Sequence, residues 1–138
     1  MSIAGSDCSG GAGIQADLKT ISALGAYAAT AITAITVQNT TGVRAIHPVP
    51  PVFVRGQIEA VMDDIRPDAI KIGMINDIEI VKVISACLRK YRPAYVIFDP
   101  VMVSTSGHRL MDPEAEITLK EELFPLAELI TPNIPEAE

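Results

Sequence analysis

The side chains best suited to chemistry in this sequence stand where short apolar runs end. The opening run, residues 1–4, gives way to Gly5-Ser6-Asp7-Cys8-Ser9-Gly10-Gly11-Ala12-Gly13, with Asp17 one turn into the segment beyond. The next run ends in Thr36-Val37-Gln38-Asn39-Thr40-Thr41-Gly42, and a later one in Gly73-Met74. Two more deliver Asp99-Pro100-Val101-Met102-Val103 and Thr131-Pro132-Asn133-Ile134-Pro135-Glu136. A glycine-rich loop that opens a helix lets ligand oxygens approach backbone amides closely. The Gln38 carboxamide sets a donor beside an acceptor, which suits a flat heterocycle such as an aminopyrimidine; the same residue can also tie down a turn. Met74 and Val103 can wall such a ring, although residues of this kind at strand ends more often belong to the core. Asp99, ending an apolar run before Pro100, is a natural partner for a hard cation carrying phosphate oxygens. Asn133 and Glu136 can hold a metal-bound water or a phosphate, or they can form an N-cap and capping box. Asp17 shares a stripe with Ile14, Leu18 and Ile21. It either finds a partner, such as a ligand hydroxyl, or acts as a first-turn acid on the helix dipole.

Several other chemistries are excluded. Gly11-Ala12-Gly13-Ile14-Gln15-Ala16 fits the loose G-x-G-x-x-A pattern of dinucleotide sites, which also requires an acid at the end of the second strand. No Asp or Glu lies between Asp17 and Glu59, and that strand ends in Gln38, so the pattern fails. There is no G-x-x-x-x-G-K-[ST] phosphate loop. Cys8 and Cys87 form neither a disulfide framework nor a zinc spacing, and a reduced, cytoplasmic setting is the default. Cys8 has no basic neighbour in the loop to activate it. His47 and His108 read as loop residues, and Lys120-Glu121-Glu122 as a solvated helix face. A net charge of −6 without a Lys/Arg cluster argues against a nucleic-acid partner. No apolar run is long enough for a membrane span, and no secretory signal opens the chain.

The elements that must position these residues follow from the hydrophobic rhythm. At 138 residues, 49% of them apolar and 20% charged, the chain has the size and composition of one globular domain. Residues 1–4, 29–37, 69–72, 95–98 and 129–131 read as strands whose continuous apolar character fits a sheet covered on both faces. Between them, helical spacing links Ile14, Leu18, Ile21 and Leu24; Val54, Ile58, Val61 and Ile65; Val81, Ile84 and Leu88; and Ala115, Leu119 and Leu123. Strand–helix alternation of this kind predicts an α/β fold with a mainly parallel central sheet flanked by helices. Ligands bind at the carboxyl edge of such sheets, where all the candidate residues gather. The short opening run and the missing helix after the last strand both read as cut edges, as against a compact domain with an uncapped end strand.

The strings AGSDCSGGAGIQADLKT, TVQNT, KIGM, FDPVMVSTSG and ITPNIPEAE run in this order across essentially the whole chain. Together they resemble the hydroxymethylpyrimidine/phosphomethylpyrimidine kinases of thiamine biosynthesis, within the ribokinase-like group. The resemblance implies a mainly parallel α/β kinase fold, frequent homodimers, and ATP with Mg2+. It implies phosphorylation of 4-amino-5-hydroxymethyl-2-methylpyrimidine and then of its monophosphate. Residue by residue, Gly5 and Asp17 resemble positions near the pyrimidine and its hydroxymethyl arm. Gln38 resembles the amide that reads the aminopyrimidine edge, Met74 and Val103 its walls, and Asp99 with Asn133 and Glu136 the magnesium and phosphate side. Pyridoxal-type vitamin kinases share the glycine loop and the architecture, and a non-catalytic pyrimidine-binding module is the alternative from another class. Complete members of the resembled family continue for about as many residues again. The anion hole, the general base and most adenine contacts are therefore expected beyond Glu138, with no catalytic residue in this stretch. Residues 1–138 alone are expected to show little or no ATP-dependent phosphorylation of the pyrimidine, and robust turnover by that purified polypeptide would overturn this.

Overall fold

The structure, a computed structural model, describes residues 1–101 and 113–137. Strand β1 (Ser2–Asp7) leads into helix α1 (Gly13–Ala23), and the hairpin β2 (Thr30–Asn39) and β3 (Gly42–Pro48) follows. Then come α2 (Pro51–Asp64), β4 (Ala69–Ile72), α3 (Ile78–Tyr91), β5 (Tyr95–Phe98) and α4 (Pro113–Glu122). A 3-10 turn (Phe124–Leu126), β6 (Leu129–Ile130) and the short α5 (Ile134–Ala137) end the described chain. The sheet order is β3-β2-β1-β4-β5-β6, parallel throughout except where β3 pairs antiparallel with β2. This is the expected mainly parallel α/β architecture.

Period-two alternation divides the sheet into two unlike faces. Ile3, Ile70, Ile72, Val96 and Phe98 point to one side and close a core against Val54 and Ile58 of α2, Ile80, Val81 and Ile84 of α3, and Leu119 and Leu123. Ser2 and Lys71, paired in register, point to the other side, where Asp17 of α1 meets both. This second face is lightly covered: Ile14 is the buried residue of α1, while Leu24 is 80% exposed just past the helix end. The expected stripe through Leu24 therefore overshoots α1.

Two departures from the sequence reading bear on the site. β1 does not stop at residue 4. It runs to Asp7 through a register shift between Ala4 and Ser6, and Gly5 sits inside it with the Met74 methyl where a Cβ would stand. A glycine within a strand commonly marks such a bulge or close approach. With β1 six residues long, its shortness no longer argues for a cut edge. Residues 42–48, outside the strands read from the sequence, form β3, and His47, expected in a loop, lies on that strand. Arg44, His47 and Pro48 broke the apolar alternation there, as the charged residues and prolines of edge strands do. The hairpin turn is held by Asn39, whose Oδ1 accepts from the Thr41 backbone N–H at 2.9 Å and from the Thr41 hydroxyl at 2.6 Å.

Beyond the end of β3, a side chain completes the edge of β2. Gln57 Oε1 accepts from the Ile32 N–H at 2.8 Å, while Nε2 donates to the Ile32 carbonyl at 3.1 Å. Gln57→Leu is expected to lower stability by about 1–3 kcal/mol, because two backbone groups lose their partners. A urea midpoint indistinguishable from wild type would contradict this.

Candidate functional site

The glycine-rich loop is organised around a buried carboxylate. Asp7, 3% exposed, accepts at Oδ1 from the Ser9 N–H (2.8 Å) and the Ser9 hydroxyl (2.7 Å). Its Oδ2 accepts from the N–H groups of Gly11 (3.0 Å) and Ala12 (2.9 Å). These amides are therefore committed to Asp7 and do not face a ligand, which corrects the expectation of loop amides open to ligand oxygens. Gln15 fastens the loop to β1 by accepting from the Asp7 N–H and donating to Ser6 Oγ, both at 2.8 Å. Lys19 returns from α1 to the Gly10 carbonyl, and the Cys8 thiol donates to the Gln38 carbonyl at 3.0 Å. At Gly13, φ is +56° and a Cβ would fall 2.3 Å from the Gly5 carbonyl oxygen, so only glycine fits.

This loop forms one wall of a cavity of about 440 Å³ at the carboxyl edge of the sheet, within the range of small-molecule sites. The cavity gathers Gly5, Asp17, Gln38, Met74, Asp99, Asn133 and Glu136, all of them candidates from the sequence. Gln38 and Asp99 thus share one rim. Val103 lies outside the described residues; Val101, whose N–H donates to the Asp99 carbonyl at 2.9 Å, lines the cavity. Met74 packs over Gly5, supplying an apolar wall.

The charged floor was not anticipated. Lys71 Nζ lies 3.2 Å from Asp17 Oδ2 and 3.7 Å from Asp99 Oδ2, and Ser2 Oγ donates to Asp17 Oδ2 at 2.5 Å. Asp17 thus takes its partners from within the chain. The available signal was a lysine inside the apolar run Ala69-Ile70-Lys71-Ile72, where a charge requires a paired group. Burial pushes the Asp99 carboxyl above its ordinary range; Lys71 opposes this, while Glu136 and Asp17 act in the same direction as burial. Asn133 and Glu136 form a reciprocal capping box on α5: Asn133 N–H donates to Glu136 Oε2 and Glu136 N–H to Asn133 Oδ1, each at 3.0 Å. The helix-capping alternative is thereby realised, and both residues still line the cavity. Among the described residues, no cluster of three or more His, Cys, Asp or Glu side chains is arranged for a metal ion.

Burial acts to raise the Asp7 carboxyl, but the hydrogen bonds from Ser9, Ala12 and Gly11 outweigh it and hold the pKa below the ordinary 3.8. A carboxyl depressed by folding contributes stability that is complete above its unfolded value and is lost as pH falls through the folded one. Asp7→Ala is expected to cost about 2–4 kcal/mol near neutral pH. Thermal melts should show the gap from wild type shrinking below pH 3.8. A gap that persists unchanged into acid would contradict the assignment.

Comparison with known proteins accords with this geometry. Residues 7–138 match the family described as phosphomethylpyrimidine kinase. The chain is 49% identical to the hydroxymethylpyrimidine/phosphomethylpyrimidine kinase of Escherichia coli, covering 99% of this chain and 52% of that protein. It is 54% identical to a thiamine biosynthesis bifunctional protein of Geobacter sulfurreducens, covering 100% of this chain and 28% of that one. The crystal structure of phosphomethylpyrimidine kinase from Clostridium difficile superposes with a TM-score of 0.94 at 57% identity, over 99% of this chain and 59% of that one. A pyridoxal kinase from Staphylococcus aureus in complex with pyridoxal gives 0.87 at 38% identity, over 99% and 50%. The chain spans about half the length of most of the relatives it matches, or less. By sequence and by fold, it belongs to the phosphomethylpyrimidine kinase family.

Proposed function

We propose that this chain supplies the pyrimidine-binding part of an ATP-dependent kinase that phosphorylates 4-amino-5-hydroxymethyl-2-methylpyrimidine and its monophosphate in thiamine biosynthesis. The observation that carries the reading is the single cavity in which the Gln38 amide and the Met74 wall share a rim with the Asp99 carboxylate. An aminopyrimidine edge needs one acceptor and one donor side by side, and Gln38 offers both. Val101 and Met74 give the ring apolar surface, and Gly5, lacking a Cβ, leaves room for Met74 beside β1. The Asp17–Lys71–Asp99 floor sets polar groups where an alcohol arm can be oriented.

The donor set also fits a magnesium–nucleotide. Mg2+ is usually held by one or two carboxylates together with water and substrate phosphates. Asp99 and Glu136, near enough that the Glu136 charge pushes the Asp99 carboxyl up, match that sparse requirement without a complete protein cage. When bound, the ion supplies charge neutralisation at the transferring phosphoryl group. The chain's own contribution is to hold the ring, aim its arm and keep Lys71 as counter-charge to the carboxylates.

The similarity to pyridoxal kinases favours a second substrate class, and substrate preference decides between the two. In the full-length protein, Gln38→Leu is expected to raise KM for the aminopyrimidine about tenfold or more, as removal of a paired recognition group does. Stronger phosphorylation of pyridoxine than of the aminopyrimidine by wild type would replace the proposal with the second reading.

Asp99→Asn separates binding from folding. A carboxyl raised by folding favours its protonated form in the folded state. That contribution is present below the unfolded value of 3.8 and is lost as pH rises through the folded one. At neutral pH the neutral isostere should therefore raise Tm by about 1–2 °C, while Mg-ATP binding weakens. The gain in Tm should vanish in acid below pH 3.8. A lower Tm at neutral pH with unchanged nucleotide affinity would refute the assignment.

A further inference from the structure

Thr36 makes two contacts that a single hydroxyl proton cannot both serve. Its Oγ1 lies 2.8 Å from the Ser6 carbonyl oxygen and 3.1 Å from the Gln38 carboxamide atom placed as Oε1. The residue is 4% exposed, so no bulk solvent supplies a substitute partner. The Ser6 carbonyl can only accept. The carboxamide can do either, because a half-turn about its last bond exchanges oxygen and nitrogen without moving any other atom. The Ser6 contact is the shorter, and Ser6 is itself fixed by the bond from Gln15 Nε2 to Ser6 Oγ at 2.8 Å.

From this juxtaposition we infer that Thr36 is a specificity-determining positioning residue: its hydroxyl donates to Ser6 and so fixes the polarity with which Gln38 faces the cavity. The Thr36 proton goes to Ser6, and the hydroxyl oxygen then accepts from the Gln38 amide nitrogen. The second N–H of that nitrogen and the carboxamide oxygen form the edge presented to a ligand. That edge accepts an exocyclic amino group at its outer end and donates to a ring nitrogen at the end nearer Thr36. A 4-aminopyrimidine matches it. A 4-oxo-pyrimidine, with a ring N–H beside a carbonyl, presents the opposite order and requires the reversed amide, which sets Oε1 against the Thr36 oxygen. The device consists of Gln15, Ser6, Thr36 and Gln38 in series, and Gln38 is the member whose amide edge reads the ligand. The inference rests on the proposed pyrimidine site and deepens it by assigning the group that sets amino-over-oxo preference.

The test measures binding of 4-amino-5-hydroxymethyl-2-methylpyrimidine and its 4-hydroxy analogue by titration calorimetry, with steady-state kinetics, on the full-length protein. Wild type, Thr36→Val and Thr36→Ser are compared. Valine keeps the shape and removes the hydroxyl; serine restores it. In Thr36→Val the amide turns freely, and the amino-over-oxo preference is expected to fall about tenfold, the worth of one hydrogen bond. The change should appear in KM, with kcat within about twofold of wild type, because Thr36 touches no reacting atom. Thr36→Ser should recover most of the preference. Full discrimination in Thr36→Val, or a Thr36→Ser variant that behaves like valine, overturns the inference while leaving the pyrimidine site intact. Wild type that binds neither compound, or does not favour the amino compound, overturns the pyrimidine reading and this inference together.

Discussion

Lys71 is the charge on which the site depends. Its ammonium stands between Asp17, carried by α1, and Asp99, carried by the end of β5. Burial and the neighbouring Asp17 charge both push the Asp99 carboxyl up, and the Lys71 ammonium opposes them. The lysine reaches them because β4 pairs with β1 in a register that sets it beside Ser2, on the face away from the main core. Sheet register, helix placement and cavity charge are therefore one constraint. Moving β4 by one residue would turn Lys71 into the core and Ile72 into the cavity.

Much of this was legible in the sequence, and the failures have physical causes. Strands with continuous apolar runs and helices with three- and four-residue spacing were readable because burial on the main core face is nearly complete, as Ile3, Ile58, Ile84 and Phe98 show. β3 was missed because an edge strand carries charge and proline where a central strand carries apolar residues. The end of β1 was missed because Gly5 looks like a turn unless the close approach of Met74 is known. In the site, polar residues at strand ends were readable one by one, since the carboxyl edge of a parallel sheet collects them. Lys71 and Thr36 were not, because their roles exist only as distances to residues far away in the chain. The cavity-lining Val101 stands next to Pro100 on the strand-end segment, and no periodicity singled it out.

The glycine loop and the capping box show the same economy. Asp7 absorbs the Gly11 and Ala12 amides, so the loop is a rigid wall rather than an anion cradle. Asn133 and Glu136 cap α5 and border the cavity with the same side chains. Residues of this kind resist assignment to structure or function by type alone. The capping geometry orients the very carboxylate that the proposed cation would meet, so local folding chemistry prepares the site before any ligand arrives.

The carboxamide of Gln57 has a consequence beyond the stability of its own chain. Where β3 stops, an open stretch of β2 would offer a neighbouring molecule a template for strand addition, the first step of intermolecular β-assembly. By occupying both backbone groups of Ile32, Gln57 imitates one residue of a strand that cannot be extended. At Ile32, strand addition thus meets a backbone pair already taken by an amide borrowed from a helix.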